Sequence, residues 1–132
     1  MKTIVQLRAA KIPIVGFLAV HYWYVIIRGE QQDRWEIWQH PNLSPESWVY
    51  LHKNLLPPFS GVGNGESWLA QSWTQELGNK LAQTIEKTPL IYPYNDCYRY
   101  FPGPNSNTYA QWILNQVNCN YPLGIKAIGK YY

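Results

Sequence analysis

Arg99–Trp112 reads RYFPGPNSNTYAQW, a loop stiffened by two prolines that runs into the start of a helix. Pro102 and Pro104 each fix φ and push the preceding residue out of the helical region, so Phe101 and Gly103 are expected to be extended. Gly103 also offers positive φ or a close approach of another backbone. Four small polar residues follow, Asn105, Ser106, Asn107 and Thr108, each able to accept a bond from the free amides of a helix start. Tyr109, Trp112, Ile113 and Val117 recur at helical spacing and form one apolar face, which requires a body to dock on. Thr108 with Gln111 three residues later fits a capping box, so this start can be explained without chemistry.

The body lies upstream. Thr3 to Ala9 reads as a short strand, and Pro13 is expected to interrupt before a main strand from Phe17 to Ile27. That strand is apolar on both faces, with Ala19, His21, Trp23 and Val25 on one and Val20, Tyr22, Tyr24 and Ile26 on the other, as a central strand requires. Arg28 to Asp33 reads as a polar turn and Arg34 to Gln39 as a second strand. Closure through a four-residue loop would set Trp23 against Trp38 and His21 against His40. Ser47 to Leu51 is a third strand, and Pro57 to Ser67 is a Gly- and Pro-rich loop. Its glycines do not form a phosphate loop, because no Lys-Ser/Thr follows them.

Trp73, Leu77, Leu81 and Ile85 recur every four residues and predict a helix over 72–87, capped by Ser72 and ended at Thr88-Pro89. Gly78 inside it costs about 1 kcal/mol relative to Ala and allows close packing. Leu90 to Tyr94 is expected to be extended, Asn118 to Pro122 to turn, and Ile125 to Tyr132 to form a last short strand. Strands and helices without regular alternation predict an α+β fold, a mainly antiparallel sheet carrying two principal helices.

The 132 residues, 46% hydrophobic, are the size of one domain spanning 1–132. Charged residues make up only 14%, and the net charge of +3 is not gathered into a basic stripe, which argues against nucleic acid. Seven Trp and eleven Tyr either thicken the core or line a groove. The apolar run Ile12 to Ile27 is shorter than the ~20 residues of a membrane helix and is interrupted by Pro13, so no membrane span is expected. Cys97 and Cys119 leave one bridge open but make no disulfide framework. No metal-ligand spacing and no cofactor motif occurs, and a cytoplasmic protein is expected.

The stretches PGPNSNTY, AVHYW and AIGKYY resemble the uncharacterised bacterial family called domain of unknown function 3750, a likeness that covers most of the chain and implies no activity. More remotely, the chain is similar to permuted papain-like proteins, the NlpC-type and lecithin-retinol-acyltransferase group. There a His on an early strand precedes a Cys that opens a later helix. Asn105 to Tyr109 overlays that pattern with Ser106 where the thiol belongs.

The resemblance implies His21 and Ser106 as a candidate catalytic pair, with the amides of Asn107 and Thr108 as an oxyanion hole; in the hairpin register above, His40 or Glu36 is the nearest group to orient His21. A thiol at a helix start is readily activated, whereas a serine hydroxyl starts from a far higher pKa. The expected role is therefore a groove that binds a peptide, glycan or lipid-derived ligand without catalysis, with Asn105, Asn107, Trp23 and Tyr109 as contacts. A hydrolase or acyltransferase using Ser106 with His21, and a structural or interaction domain, are the alternatives. A neutral His21 bonded to a backbone carbonyl or a tyrosine hydroxyl is the simplest reading of that residue.

Overall fold

The doubly apolar run of the sequence forms β2 (Phe17–Arg28), flanked by β1 (Thr3–Ile14) and β3 (Gln31–Ile37). The computed structural model describes residues 2–14, 17–63 and 65–132. Two three-residue strands, β4 (Glu46–Trp48) and β5 (Leu51–Lys53), and an edge strand β6 (Ser67–Trp73) complete one six-stranded antiparallel sheet, in the order β4-β5-β3-β2-β1-β6. Two helices follow, α1 (Gln75–Ile91) and α2 (Ser106–Gln116). The fold is α+β, with β2 interior to the sheet.

Several boundaries differ from the sequence reading, each for a local reason. β1 runs through Pro13, which pairs with Leu18, because β6 leaves β1 after Ala10 and a strand without a second neighbour tolerates a missing amide. The β2–β3 hairpin closes on two residues, Gly29 and Glu30, with Gly29 at φ 62°. Such short turns match strand twist better than a four-residue loop. The pairing is therefore Tyr24 with Trp35 rather than Trp23 with Trp38. The single strand expected over 47–51 is a hairpin, turned at Val49 with φ 60°. Residues 67–73 pair with β1, so Trp73 ends a strand and Thr74, not Ser72, is the N-cap of α1.

The sheet carries both helices on one face. Val5, Leu7 and Ala9 of β1, Tyr22, Tyr24 and Ile26 of β2, and Trp35 and Ile37 of β3 pack there against Leu81, Ala82 and Ile85 of α1 and Tyr109, Ala110, Ile113 and Leu114 of α2. Each fully buried aliphatic or aromatic side chain of α2 contributes roughly 1.5–3 kcal/mol. On the opposite face Ala10, Trp23 and Val25 are covered by Val62 of the loop before β6. Gly78 brings α1 onto the sheet: a Cβ there would lie 2.9 Å from the Trp73 carbonyl and 3.2 Å from that of Thr3.

Pro89 sits inside α1 instead of ending it. Proline cannot donate to the Ile85 carbonyl four residues back, and the Thr88 hydroxyl donates to it instead, at 2.6 Å. That hydroxyl also lies 3.0 Å from Tyr109 Oη, which ties α1 to α2. The C-terminal residues expected to form a strand make turns, with one ladder-like bond from the Val20 amide to the Lys126 carbonyl at 3.1 Å. Among the described residues no helix is long and apolar enough to cross a membrane. Cys97 and Cys119 are both free and half-buried.

Candidate functional site

α2 begins at Ser106, and its N-cap is Asn105. The Asn105 side-chain oxygen accepts from the amides of Asn107 (2.9 Å) and Thr108 (3.3 Å), and the Thr108 hydroxyl accepts from the Asn105 amide at 3.1 Å. The capping box thus pairs 105 with 108, one turn earlier than the Thr108–Gln111 pair expected. Asn105 Nδ2 donates to the Tyr100 carbonyl at 2.7 Å, and Thr108 Oγ1 donates to the Gly129 carbonyl at 2.7 Å. Gly129, at φ 96°, lies so close that a Cβ would collide with the Asn105 amide. The proline loop and the C-terminal segment AIGKYY are both fastened to this cap.

Asn107 docks the helix start on β2. Its Oδ1 accepts from the Tyr22 amide (3.1 Å), and its Nδ2 donates to the carbonyls of Val20 (2.7 Å) and Ile128 (3.1 Å). β3 pairs with β2 only as far as Tyr24, so on that side these β2 groups lack a strand partner, and the Asn107 primary amide takes its place. This also explains why residues 125–132 do not extend the sheet.

His21 lies between those two docking points, 1% exposed. Its Nε2 is 2.8 Å from Glu36 Oε1. Glu36 is itself clamped by Arg34, whose Nε donates to Oε2 at 2.6 Å and Nη2 to Oε1 at 2.9 Å. Arg34 Nη1 donates to the carbonyls of Pro57 (2.9 Å) and Ser60 (2.7 Å), and the guanidinium lies over the Trp23 ring, 3.9 Å from its centroid. Burial alone would raise the Glu36 pKa. The bond from His21 and the charge of Arg34 outweigh it and hold the carboxyl below its ordinary value. Because the carboxylate only accepts, Nε2 carries a proton, and in neutral His21 the lone pair sits on Nδ1. Among the described residues Nδ1 has no protein partner. The ring also stacks on Trp23 (5.5 Å) and meets Trp38 edge-on (5.2 Å).

A cavity of ≈ 80 Å³ opens where β3 parts from β2 and α2 begins. His21, Ser106, Tyr100 and Trp38 line it, with apolar walls that include Ile37 and Ile128. Ser106 Oγ has one contact, 3.5 Å from Asn107 Oδ1, and makes no hydrogen bond to His21. The Tyr100 hydroxyl is buried without a partner, and burial pushes its pKa up.

The structure brings His21, Ser106, Asn105 and Asn107 around one cavity and places the other expected residues elsewhere. His40 is exposed, and its carbonyl takes the Nε2 of buried His52, whose Nδ1 pairs with Ser47 Oγ at 2.7 Å. Glu36, and not His40, is the group that holds His21: the shorter hairpin turn shifts the register by two residues, which carries the partner opposite His21 from His40 to Trp38, and Glu36 reaches the ring from the same face. Trp23 is in the opposite-face core, bonded through Nε1 to the Pro58 carbonyl, and Tyr109 is in the helix-side core, fully buried. Neither lines the cavity. The amides of Asn107 and Thr108, expected as an oxyanion hole, are consumed by the Asn105 cap. Sequence reasoning missed Arg34 and Tyr100. The pattern R-x-E on a strand, which places two side chains on the face that carries His21, was the available signal for Arg34; nothing local marks Tyr100.

An antiparallel sheet with two helices on one face, and a helix start docked through Asn107 on the strand that carries His21, defines the architecture. Residues 2–132 match the family described as proteins of unknown function, DUF3750, and the chain belongs to that family. No curated protein and no solved structure matches it.

Proposed function

We propose that the cavity between His21, Ser106 and Tyr100 is a ligand-binding site that takes a small polar group of a peptide, glycan or lipid-derived ligand without catalysing its conversion. The observation that carries this reading is the set of polar side chains around one cavity: among the described residues His21 Nδ1 has no protein partner, Ser106 Oγ has only a 3.5 Å contact, and the Tyr100 hydroxyl beside them is buried unpaired. Buried polar groups are otherwise paired in folded proteins, so atoms left open around a cavity are suited to a ligand. The helix amides that would stabilise an oxyanion are already spent on Asn105, and Ser106 makes no bond to His21, which weighs against catalysis.

The second reading is a hydrolase or acyltransferase of permuted papain-like type. One observation favours it: Glu36 orients His21 through Nε2, which leaves Nδ1 as the base that a serine nucleophile needs. The order of a strand His before a helix-start Ser supports the same arrangement.

The test has two arms. Nuclear magnetic resonance titration with N-acetylated dipeptides, N-acetylglucosamine and short fatty acids should shift the amide signals of Tyr100, Ser106 and Asn107 for at least one class. Shifts confined to other regions, or none, would overturn the binding reading. A fluorophosphonate probe should leave Ser106 unlabelled; labelling that His21→Ala abolishes would replace this reading with the catalytic one. In Ser106→Cys, a thiol reacting with iodoacetamide faster than Cys97 or Cys119, and slowed by His21→Ala, is the result expected if the two side chains share one site.

A further inference from the structure

We infer that the groove formed by Phe101, Ile125 and Tyr131 is a membrane-contact surface that seats this domain on an anionic lipid bilayer. The inference is independent of what the His21 cavity holds. It starts from exposure. Phe101 is 75% exposed, Ile125 91% and Tyr131 89%, and the three line one open groove of ≈ 260 Å³ whose walls also include Pro102 and Ala127. Apolar side chains scattered singly over a surface need no explanation, whereas several gathered on one concavity mark a place of contact. The backbone that carries them is fastened. Asn105 Nδ2 donates to the Tyr100 carbonyl just before Phe101, and the Thr108 hydroxyl donates to the Gly129 carbonyl between Ile125 and Tyr131.

Charge identifies the occupant. Lys130 lines the groove, Lys126 lies between its wall residues Ile125 and Ala127, and Arg99 bonds to Tyr132 on its rim, while residues 97–132 contain no Asp or Glu. Lys130 Nζ donates to the carbonyls of Leu123 (2.8 Å) and Gly124 (3.1 Å) and lies over the Tyr131 ring, 4.9 Å from its centroid. Arg99 donates to the Gly103 carbonyl (3.0 Å) and the Tyr132 hydroxyl (2.9 Å). Among the described residues none of the three cations meets a carboxylate. Their charge is therefore not neutralised, and it attracts a negative surface. Because Lys130 and Arg99 already spend donors within the chain, they offer a field more than directional bonds. A field suits mobile anionic headgroups, whereas a protein partner presents fixed acceptors that need donors of their own.

Polarity is graded in the same sense. Lys130, Tyr131 and Tyr132 also line a second, wider groove of ≈ 500 Å³, whose walls carry the amides of Gln111, Asn115 and Asn120. A Lys-Tyr border with apolar side chains on one side and amides on the other matches the boundary between acyl chains and headgroups, where tyrosine rings and lysines settle.

The experiment is sedimentation of the full chain with vesicles of phosphatidylcholine alone and of phosphatidylcholine mixed with phosphatidylglycerol. The protein should pellet with the mixed vesicles and stay in solution with the neutral ones. Raising the salt from about 0.1 M to about 1 M should release it, since the reach of the field then falls to about 3 Å. Lys126→Gln should weaken binding about fivefold, the worth of one basic residue near such a surface. Phe101→Ser and Ile125→Ser should each weaken it several-fold with the melting temperature unchanged, while Leu69→Ser, an exposed apolar position on β6 outside the groove, should not. Equal pelleting with both kinds of vesicle, or binding that Phe101→Ser and Ile125→Ser leave intact, would overturn the inference. Wild-type protein that stays in solution with the anionic vesicles would overturn it too, and would give the groove to a protein partner.

Discussion

Asn107→Ala should cost far more than the loss of an ordinary helix cap, because Asn107 is not the cap. Its side chain satisfies the Tyr22 amide and the Val20 carbonyl on the side of β2 that β3 no longer pairs, and the Ile128 carbonyl on the C-terminal segment. Alanine removes all three bonds and supplies no replacement. A buried polar group left without a partner costs about 1–3 kcal/mol. Taking about 1.5 kcal/mol for the buried Tyr22 amide and about half that for each of the part-buried Val20 and Ile128 carbonyls, the loss is about 3 kcal/mol. That is about two decades in the folding constant. Urea unfolding followed by tryptophan fluorescence measures it, and an unchanged denaturant slope would show that both variants unfold the same way. A loss below about 1 kcal/mol, the scale of a simple cap, would refute the docking role argued for this residue.

Gly129→Ala should destabilise, since it combines φ 96° with a Cβ colliding with Asn105, and the double variant with Asn105→Ala should lose less than the sum of the singles because the collision is then gone. Thermal or urea unfolding of the four proteins completes that cycle. Thr88→Val should cost about 1–3 kcal/mol, because the Ile85 carbonyl that Pro89 cannot serve loses the Thr88 hydroxyl as its donor, while Thr88→Ser should cost much less. At alkaline pH the tyrosines set the limit: burial raises the pKa values of Tyr24, Tyr92 and Tyr109 above the unfolded value. Their contribution is complete below about pH 10 and is lost as pH rises beyond it, so phenolate absorbance should appear together with unfolding. Glu36 works in the opposite direction. Its folded pKa is lowered, so its contribution is present above about pH 4.5 and lost on further acidification, and Glu36→Gln should flatten the acid limb of stability against pH.

The core was legible because its signals are periodic: β2 carries apolar residues on both faces, and α1 and α2 repeat at helical spacing. Ser67–Trp73 was not legible as a strand. Both its faces are largely exposed, which erases the alternation that marks a half-buried strand, and Trp73 continues the four-residue series of the following helix. The site was half legible. His21, Ser106, Asn105 and Asn107 were found from the proline loop and the strand histidine, but their roles exchanged: the expected contacts Asn105 and Asn107 hold backbone, and Asn105 occupies the amides expected to stabilise an oxyanion. Glu36 came within reach as a candidate beside His40, which a two-residue error in the turn had set opposite His21 in place of Trp38. Turn length is a local choice with a long-range effect, since every partner across a hairpin moves with it.

The edge strand β6 carries a consequence for the protein's behaviour in concentrated solution. An unpaired strand edge is a template for another chain, and proteins commonly guard such edges with charge or proline. SWLAQSW contains neither. The guarding is neutral instead: the register shifts around Ala70, the Gln71 side chain fills the Ser72 amide at 2.9 Å, and the Tyr121 hydroxyl takes the Ala70 carbonyl at 3.3 Å. Protection built from an amide and a phenol is not screened by ions. Self-association through this edge should therefore respond little to ionic strength, unlike that of proteins whose strand edges are kept apart by lysines.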